Sequence, residues 1–175
     1  MNGKLVAGGI VVLATVFGIG LYYSTVYAHY EPLDASLESS RITVTTFEGL
    51  EEDLLAEALT GIDGSSSPIK YRACFETPLS LAMMTETFVP YDKPAPLIAP
   101  NWFECFDAKA IGADLEAGKA VAFMGAENFT YGIDRVIAVY PDGRGYAWNQ
   151  INSCGEAVFD GDPAPVGCPP APEGN

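Results

Sequence analysis

A run of nineteen uncharged residues, 5–23 (LVAGGIVVLATVFGIGLYY), constrains this chain more than any other stretch. At about 1.5 Å of rise per residue, a helix over the run would be roughly 28 Å long, close to the ~30 Å hydrocarbon thickness of a bilayer. So long an apolar segment is stable in lipid rather than in water. We therefore expect residues 1–27 to form a membrane-spanning anchor, with the rest of the chain on one side of the membrane.

The charges that flank the run predict which side that is. Lys4 and the amino terminus are the only positive charges before it, whereas Glu31 and Asp34 follow closely. The positive-inside rule then places the N-terminus in the cytoplasm and the remaining residues outside, which in a bacterial inner membrane means a periplasmic domain. The alternative is a cleavable signal peptide with its cleavage site at residues 26–28 (VYA). The length of the run and the tyrosines near its end, typical of an interfacial belt, favour the anchor.

Small residues recur within the predicted helix at a spacing that allows another helix to approach. Gly3 and Ala7 are four residues apart, as are Ala14 and Gly18. Small residues at this spacing let two helix backbones pack closely in a membrane. These four positions are therefore a candidate helix-packing face.

The four cysteines predict two disulfides. Cys74, Cys105, Cys154 and Cys168 are an even set in a domain that we expect in an oxidising compartment. No two have C-x-x-C spacing, which disfavours a zinc site or a thioredoxin-like pair. Three connectivities are available, and we favour Cys74–Cys105 with Cys154–Cys168 because each closes a moderate loop that contains proline.

Periodicity and turn signals divide the remaining chain into a connector (28–40), a domain (41–160) and a Pro-rich acidic tail (161–175). Within the domain they predict strands over 41–47, 69–75, 119–124, 131–140, 145–151 and a short edge at 158–159, and helices over 48–59, 79–87 and 108–117. The turn residues 141–144 (PDGR) would join 131–140 and 145–151 as a hairpin. We predict an α+β domain in which an antiparallel sheet of about five strands carries two or three helices on one face.

Local signals refine three segments of the domain. Thr77 before Pro78 is a good N-cap for the second helix, and Asp107 and Gly118 are good caps for the third. Four prolines between 90 and 100 predict an extended surface loop. Trp102 and Phe103 follow this loop and would either fill the core or mark a binding edge, of which the core is favoured.

The sequence offers no signature of catalysis. His29, the only histidine, lies at the predicted membrane interface, so no Ser or Cys nucleophile in the domain has a histidine base. Carboxylate pairs such as Glu51/Glu52, Asp107/Asp114 and Asp160/Asp162 are typical of solvated faces and turns in so acidic a chain. Glycine-rich nucleotide-binding boxes and an EF-hand loop are absent from the sequence. We expect no enzyme activity, no cofactor and no metal.

The charge of the chain limits its partners. All 23 acidic residues follow the apolar run, against eight of the nine basic ones. Nucleic acid and anionic lipid headgroups are poor partners for such a domain, whereas a basic protein suits it. Residues 51–53 (Glu51, Glu52, Asp53), together with Trp102 and Phe103, are the candidate partner surface.

Segments along nearly the whole chain resemble one bacterial family. They are MNGKLVAGGI, SSSPIKYRACFETPLSLAMMTETF, PLIAPNWFECFDA, YGIDRVIAVYPDGRGYAWNQIN and CGEAVFDGDPAPVGCPP. They resemble an uncharacterised family of single-pass proteins of Rhodobacter-like alphaproteobacteria, a domain of unknown function. The resemblance implies an inner-membrane address and no particular activity. Members are sometimes labelled histidine kinase by automated transfer, but this chain lacks a phosphoacceptor helix and nucleotide-binding boxes.

Three functions are compatible with these features. The leading hypothesis is a membrane-anchored accessory subunit of an integral membrane complex, respiratory or photosynthetic, whose acidic domain steers a basic periplasmic protein such as a c-type cytochrome. The second is a stand-alone periplasmic binding or sensor module with a pocket near Trp102, Tyr146 and Trp148. The third is an envelope enzyme with two close carboxylates in a cleft, one of raised pKa.

Overall fold

In the computed structural model, residues 2–34 and 40–172 are described, so part of the predicted connector (35–39) and the last residues of the tail (173–175) lie outside this description. The predicted anchor is helix α1 (Gly3–Val26), which buries none of its residues against the domain. Its length and apolar composition are sufficient to cross a membrane. A helix that exposes apolar side chains all round needs lipid or other helices around it.

In the described part of the chain, eight strands and three further helices follow α1. The strands are β1 (Glu31–Pro32), β2 (Thr43–Thr45), β3 (Glu51–Asp53), β4 (Glu57–Asp63), β5 (Arg72–Glu76), β6 (Val121–Thr130), β7 (Ile133–Val139) and β8 (Arg144–Ile151). The helices are α2 (Leu81–Thr87), α3 (Ala108–Glu116) and α4 (Ser153–Phe159), and a 3₁₀ turn covers Pro68–Lys70. The predicted α+β class is therefore confirmed.

Six strands form one antiparallel sheet in the order β1-β4-β5-β8-β7-β6, and β2 and β3 form a second antiparallel pair. Residues 87–91 join the two sheets by backbone hydrogen bonds, since Val89 N donates to Thr45 O and Tyr91 N donates to Ala122 O, both at 2.9 Å. The series of hydrogen-bonded strands thus continues from β6 through residues 87–91 to β2 and then β3. In the described residues, β3 pairs only with β2 and is the last strand of this series.

Both faces of the large sheet are covered. Strand β7 is buried along its whole length, and its side chains alternate between two hydrophobic core clusters, one on each face of the sheet. Ile137 and Val139 belong to the first cluster, and Val136 and Ala138 belong to the second. The first cluster also contains Met84 of α2, and the second contains Ile111 of α3. The expectation that the helices share one face is therefore wrong, because each face of a sheet buried on both sides needs its own cover.

Several predicted boundaries agree with the structure. The β7–β8 hairpin lies where the turn residues placed it, and Asp107 caps α3 by accepting hydrogen bonds from Lys109 N and Ala110 N, both at 3.0 Å. Gly118 follows α3 with φ of 69°, the left-handed conformation that favours glycine after a helix. Disulfides join Cys74 to Cys105 and Cys154 to Cys168, the favoured pairing.

Three local predictions are wrong. Residues 48–59 form no helix but β3 and the start of β4, because pairing with β2 and β5 overrides the weak helical pattern. The short strand expected at 158–159 is the end of α4, whose N-cap Asn152 accepts from Cys154 N and Gly155 N, both at 3.0 Å. Helix α2 begins later than expected, after the cap Ser80 rather than Thr77.

The proline-rich loop, residues 90–106, is held on the sheet by a buried arginine. Arg72 is 4% exposed, and its guanidinium donates to four carbonyls: Leu97 O and Ile69 O at 2.7 Å, Tyr71 O at 2.6 Å and Ile98 O at 3.3 Å. Burial lowers the pKa of Arg72 to about 10, so the side chain remains charged at neutral pH.

Two more contacts hold the same loop. The Gln150 amide accepts from Ala95 N at 2.8 Å and donates to Lys93 O at 3.3 Å. The Cys74–Cys105 disulfide ties the far end of the loop to β5. A loop without regular structure is thereby fixed at its start, middle and end.

Replacing Arg72 by Ala is expected to lower the free energy of unfolding by at least about 3 kcal/mol, because several buried carbonyls lose a charged donor. The matched control is Arg144→Ala, which removes an arginine with a 54% exposed side chain paired to Asp142 and should cost no more than about 1 kcal/mol. Urea unfolding of the full chain in mild detergent measures both. Equal losses for the two variants would contradict the proposed role of Arg72.

Candidate functional site

The predicted pair Trp102 and Phe103 is divided between two roles. Phe103 is 7% exposed and belongs to the core under the loop, as favoured from the sequence. Trp102 is 37% exposed and lies against the end of α1, where its indole Nε1 donates to Val26 O at 2.9 Å. Its ring stacks on Tyr27 at 6.0 Å between centroids and meets Tyr30 edge-on at 5.9 Å. Trp102 therefore docks the domain onto the end of the helix.

The lysine next to this junction adds a cation to the aromatic group. Lys70 Nζ lies 5.1 Å from the centroid of the Tyr30 ring. Tyrosine, tryptophan and lysine are the side chains that prefer the boundary between hydrocarbon and headgroups. The junction thus has the composition of a membrane interface.

The acidic residues 51–53 occupy β3, and all three are exposed. Asp53 pairs with Arg41 at 2.6 Å between Oδ2 and Nη1. Two large apolar side chains of the hairpin that joins β2 to β3, Phe47 and Leu50, are each 60% exposed. An exposed last strand that combines acidic residues with apolar neighbours is a candidate protein-binding edge.

The four small residues of the candidate helix-packing face lie within about 60° of arc on α1, as the helical repeat requires. Among the described residues, none beyond the adjoining part of α1 lies within 4 Å of the position that a Cβ would take at Gly3 or Gly18. Gly8, Gly9 and Gly20 lie at other angles around the helix and are equally open. Small residues are therefore not confined to one face of α1, as expected where Gly and Ala are common throughout a membrane helix.

The pocket expected near Trp102, Tyr146 and Trp148 is not formed. Trp148 is 0% exposed, and its indole donates to Gln150 Oε1 at 3.0 Å inside the core. Tyr146 packs edge-on against Phe106, whereas Trp102 is at the end of α1. The three side chains have separate structural roles, because the loop that carries Trp102 covers the sheet face on which Trp148 is buried.

A cleft of about 300 Å³ does contain carboxylates, among them Asp134 and Glu156. Asp134 is 4% exposed, and its oxygens accept from Asn128 N at 2.8 Å, Asn152 Nδ2 at 2.7 Å and the Tyr91 hydroxyl at 3.0 Å. Burial, followed by the neighbouring Asp134, raises the pKa of Tyr91, so the phenol stays protonated and donates. These bonds make Asp134 a structural acceptor that holds the β6–β7 turn against the N-cap of α4.

The other carboxylate pairs are also structural or exposed. Asp107 caps α3, and Asp114 accepts from Lys119 at 2.8 Å and from the Tyr140 hydroxyl at 3.0 Å. These donors lower the pKa of Asp114, and burial with this carboxylate raises the pKa of Tyr140 to about 12. Asp160 and Asp162 are exposed after α4. Among residues 2–34 and 40–172, no cluster of His, Cys, Asp and Glu could hold a metal ion.

These features define an α+β domain with two disulfides that follows one helix long and apolar enough to cross a membrane. The chain belongs to a family of unknown function, DUF6446, whose match covers residues 42–169. A comparison with curated proteins found no match, and a comparison with solved structures found none either. The family match covers the domain and leaves out α1.

Replacing Trp102 by Ala is expected to undock the domain from the end of α1. The variant loses the ring contacts with Tyr27 and Tyr30 and the hydrogen bond to Val26, so residues 28–34 should be cleaved by proteinase K roughly five- to fiftyfold faster. Time-resolved mass spectrometry of the full chain in detergent measures this rate. Phe47→Ala, which removes another exposed aromatic ring, is the control and should leave the rate unchanged. The same rate for both variants would rule out a docking role for Trp102.

Proposed function

We propose that this protein is a membrane-anchored interaction subunit that binds a partner through the acidic edge strand β3. The observation that supports the proposal is the position of Glu51, Glu52 and Asp53, which are exposed on the last strand of the series. In the described residues this strand has unpaired backbone groups along its outer edge. Such an edge accepts an added strand or a basic surface. The chain has a formal net charge of −14, which would attract a basic partner over several ångströms.

The anchor limits where this partner is found. Apart from the contact of Trp102 with its end, helix α1 buries none of its residues in the described structure, so in the membrane it contacts lipid or other helices. We place its N-terminus in the cytoplasm and the domain in the periplasm of a bacterial inner membrane. Lys4 before the helix and two disulfides after it support this orientation. The alphaproteobacterial source suggested by the sequence resemblance is part of the same proposal.

The narrower form of the proposal names the partners. The small residues of α1 would pack on an integral membrane complex, and β3 would face a basic periplasmic protein. In respiratory and photosynthetic membranes a c-type cytochrome has the required charge, and electrostatic steering of such a protein increases its rate of association. Charge complementarity is the basis for this choice.

Glu51→Lys with Glu52→Lys is expected to abolish recovery of the partner at low ionic strength, because it replaces two negative charges by two positive ones on the edge. Asp53 is left unchanged so that its pair with Arg41 remains. The measurement is a mild-detergent pull-down of the tagged full chain from its native membrane, with quantitative mass spectrometry and a native gel.

The matched control for this experiment is Glu116→Lys with Asp160→Lys, which makes the same change in net charge at two exposed positions, one on α3 and one after α4. It should keep the partner. Migration of the wild-type protein as a lone species, or equal recovery by both double variants, would exclude β3 as the docking edge.

Ala14→Leu with Gly18→Leu is expected to release an integral membrane partner, because two larger side chains prevent close approach of a second helix. Val12→Leu with Val16→Leu is the control, since these positions lie on the opposite side of α1 at the same spacing. The native gel distinguishes the outcomes: loss of the assembly in the first variant alone supports helix packing at Ala14 and Gly18. An intact assembly in both variants would remove this face from the proposal.

A further inference from the structure

Arg135 is a buried arginine whose charge is stacked between two aromatic rings. It lies on β7 opposite Ala126 of β6 and is 6% exposed. Its guanidinium carbon is 3.9 Å from the centroid of the Tyr71 ring and 4.4 Å from that of Phe129. Stacking of this kind orients a planar guanidinium but supplies no hydrogen-bond acceptor in its plane.

The hydrogen bonds of Arg135 are incomplete within the protein. Its Nε donates to Asn149 Oδ1 at 3.1 Å, and Asn149 is itself fixed by donating to Pro68 O at 2.7 Å. Among the described residues, no acceptor bonds the terminal nitrogens Nη1 and Nη2, and no carboxylate pairs with them. Arg72, equally buried, has four carbonyl acceptors. Burial of a charge without partners is unfavourable, so Arg135 has unused capacity for an anion.

The terminal nitrogens are not sealed in the core, because Arg135 lines a cleft of about 280 Å³ between β3, β2 and β6. The cleft is lined by Arg41, Thr43, Glu51, Asp53, Ala126, Phe129 and Arg135. A bulge in β6 shapes its floor: Gly125 O accepts from Thr43 Oγ1 at 3.4 Å and from Thr45 Oγ1 at 3.2 Å. A Cβ at Gly125 would lie 2.9 Å from Arg135 O and 3.1 Å from Arg135 Cγ, so only glycine allows this approach.

The lining residues restrict the chemistry of a ligand. Arg135 offers a planar pair of donors that matches a carboxylate, and Phe129 and Ala126 offer apolar surface. Asp53 already pairs with Arg41, whereas Glu51 is exposed beside the cleft. The cleft is lined by two positive side chains, Arg41 and Arg135, and by two negative ones, Glu51 and Asp53, so its formal charges cancel. Such a lining disfavours a polyanion and suits a molecule that carries both a positive and a negative charge.

We propose that this cleft binds a small carboxylic acid, with its carboxylate on Nη1 and Nη2 of Arg135, and that a zwitterionic amino acid binds best because its ammonium group reaches Glu51. The proposal does not depend on β3 docking a protein. Glu51 takes part in both, but Arg135 belongs to the cleft alone, so variants of Arg135 test the ligand without testing the partner.

The test follows the Nε–Hε resonances of the four arginines in the ¹⁵N-labelled full chain in mild detergent. Sodium propionate, L-leucine, propylammonium chloride and sodium phosphate are titrated at constant ionic strength. We expect a saturable shift of the Arg135 resonance with propionate, a tighter one with L-leucine, and none with propylammonium. Arg135→Lys, which loses the planar fork and its own Nε–Hε resonance, is followed by the resonance of Arg41 in the same cleft, and it should weaken propionate binding roughly ten- to a hundredfold. Arg144→Lys should leave it unchanged.

Glu51→Gln provides a second test that does not alter the core, because Glu51 is exposed. This substitution should weaken the binding of L-leucine and leave the binding of propionate unaffected. An equal effect on both would refute the proposal that Glu51 binds the ammonium group of a zwitterionic ligand. Phosphate that binds as tightly as propionate would overturn the assignment of a carboxylate. Absence of any saturable shift in the wild-type chain would show that Arg135 is only a structural partner of Tyr71 and Phe129.

Discussion

The contact between Arg72 and the carbonyls of residues 97 and 98 is the interaction on which the arrangement of the molecule depends. A chain segment with four prolines cannot form its own ladder and would leave the sheet face above Trp148 open to water. The buried guanidinium replaces that ladder by donating to carbonyls at the middle of the loop, and the Cys74–Cys105 disulfide fixes its end. Trp102 lies between these two attachments, so the same contacts determine where the domain meets α1.

The two buried arginines differ in a way that the sequence does not reveal. Both are followed by an apolar residue in a strand, and both stack on an aromatic ring: Arg72 on Phe106 and Arg135 on Tyr71 and Phe129. Arg72 faces a loop with free carbonyls, whereas Arg135 faces side chains of β2 and β3 across a cleft. The charge of Arg72 is stabilised by backbone carbonyl dipoles and holds the loop on the sheet. In the described structure the terminal nitrogens of Arg135 remain available as donors for the proposed ligand.

The sequence predicted those parts of the fold that depend on local signals. The β7–β8 hairpin, the caps of α3 and the two disulfides follow from turn residues, capping side chains and loop length, which act over a few residues or by simple pairing. The helix expected over residues 48–59 is wrong because acidic residues before leucines resemble a helix start, whereas these residues pair as strands with β2 in a hairpin and with β5 in the large sheet. The cleft at Arg135 has no local signal at all: Tyr71, Phe129 and Asn149 come from three segments, and no spacing in the chain joins them.

The negative charge on the edge strand β3 bears on both self-association and the proposed partner. An exposed strand edge invites other chains to pair, and negative charge along it opposes pairing between copies of the same protein, because each copy presents the same charges. The repulsion is absent when the approaching surface is basic, so under the proposed function the same charges would select a basic partner. The pairing of β3 with β2 places the side chains of Glu51 and Asp53 on the face of the strand pair that carries Thr43 and Thr45, toward the cleft. A partner bound along the edge and a small acid bound at Arg135 would therefore contact the same strand, and each would change the electrostatic environment of the other.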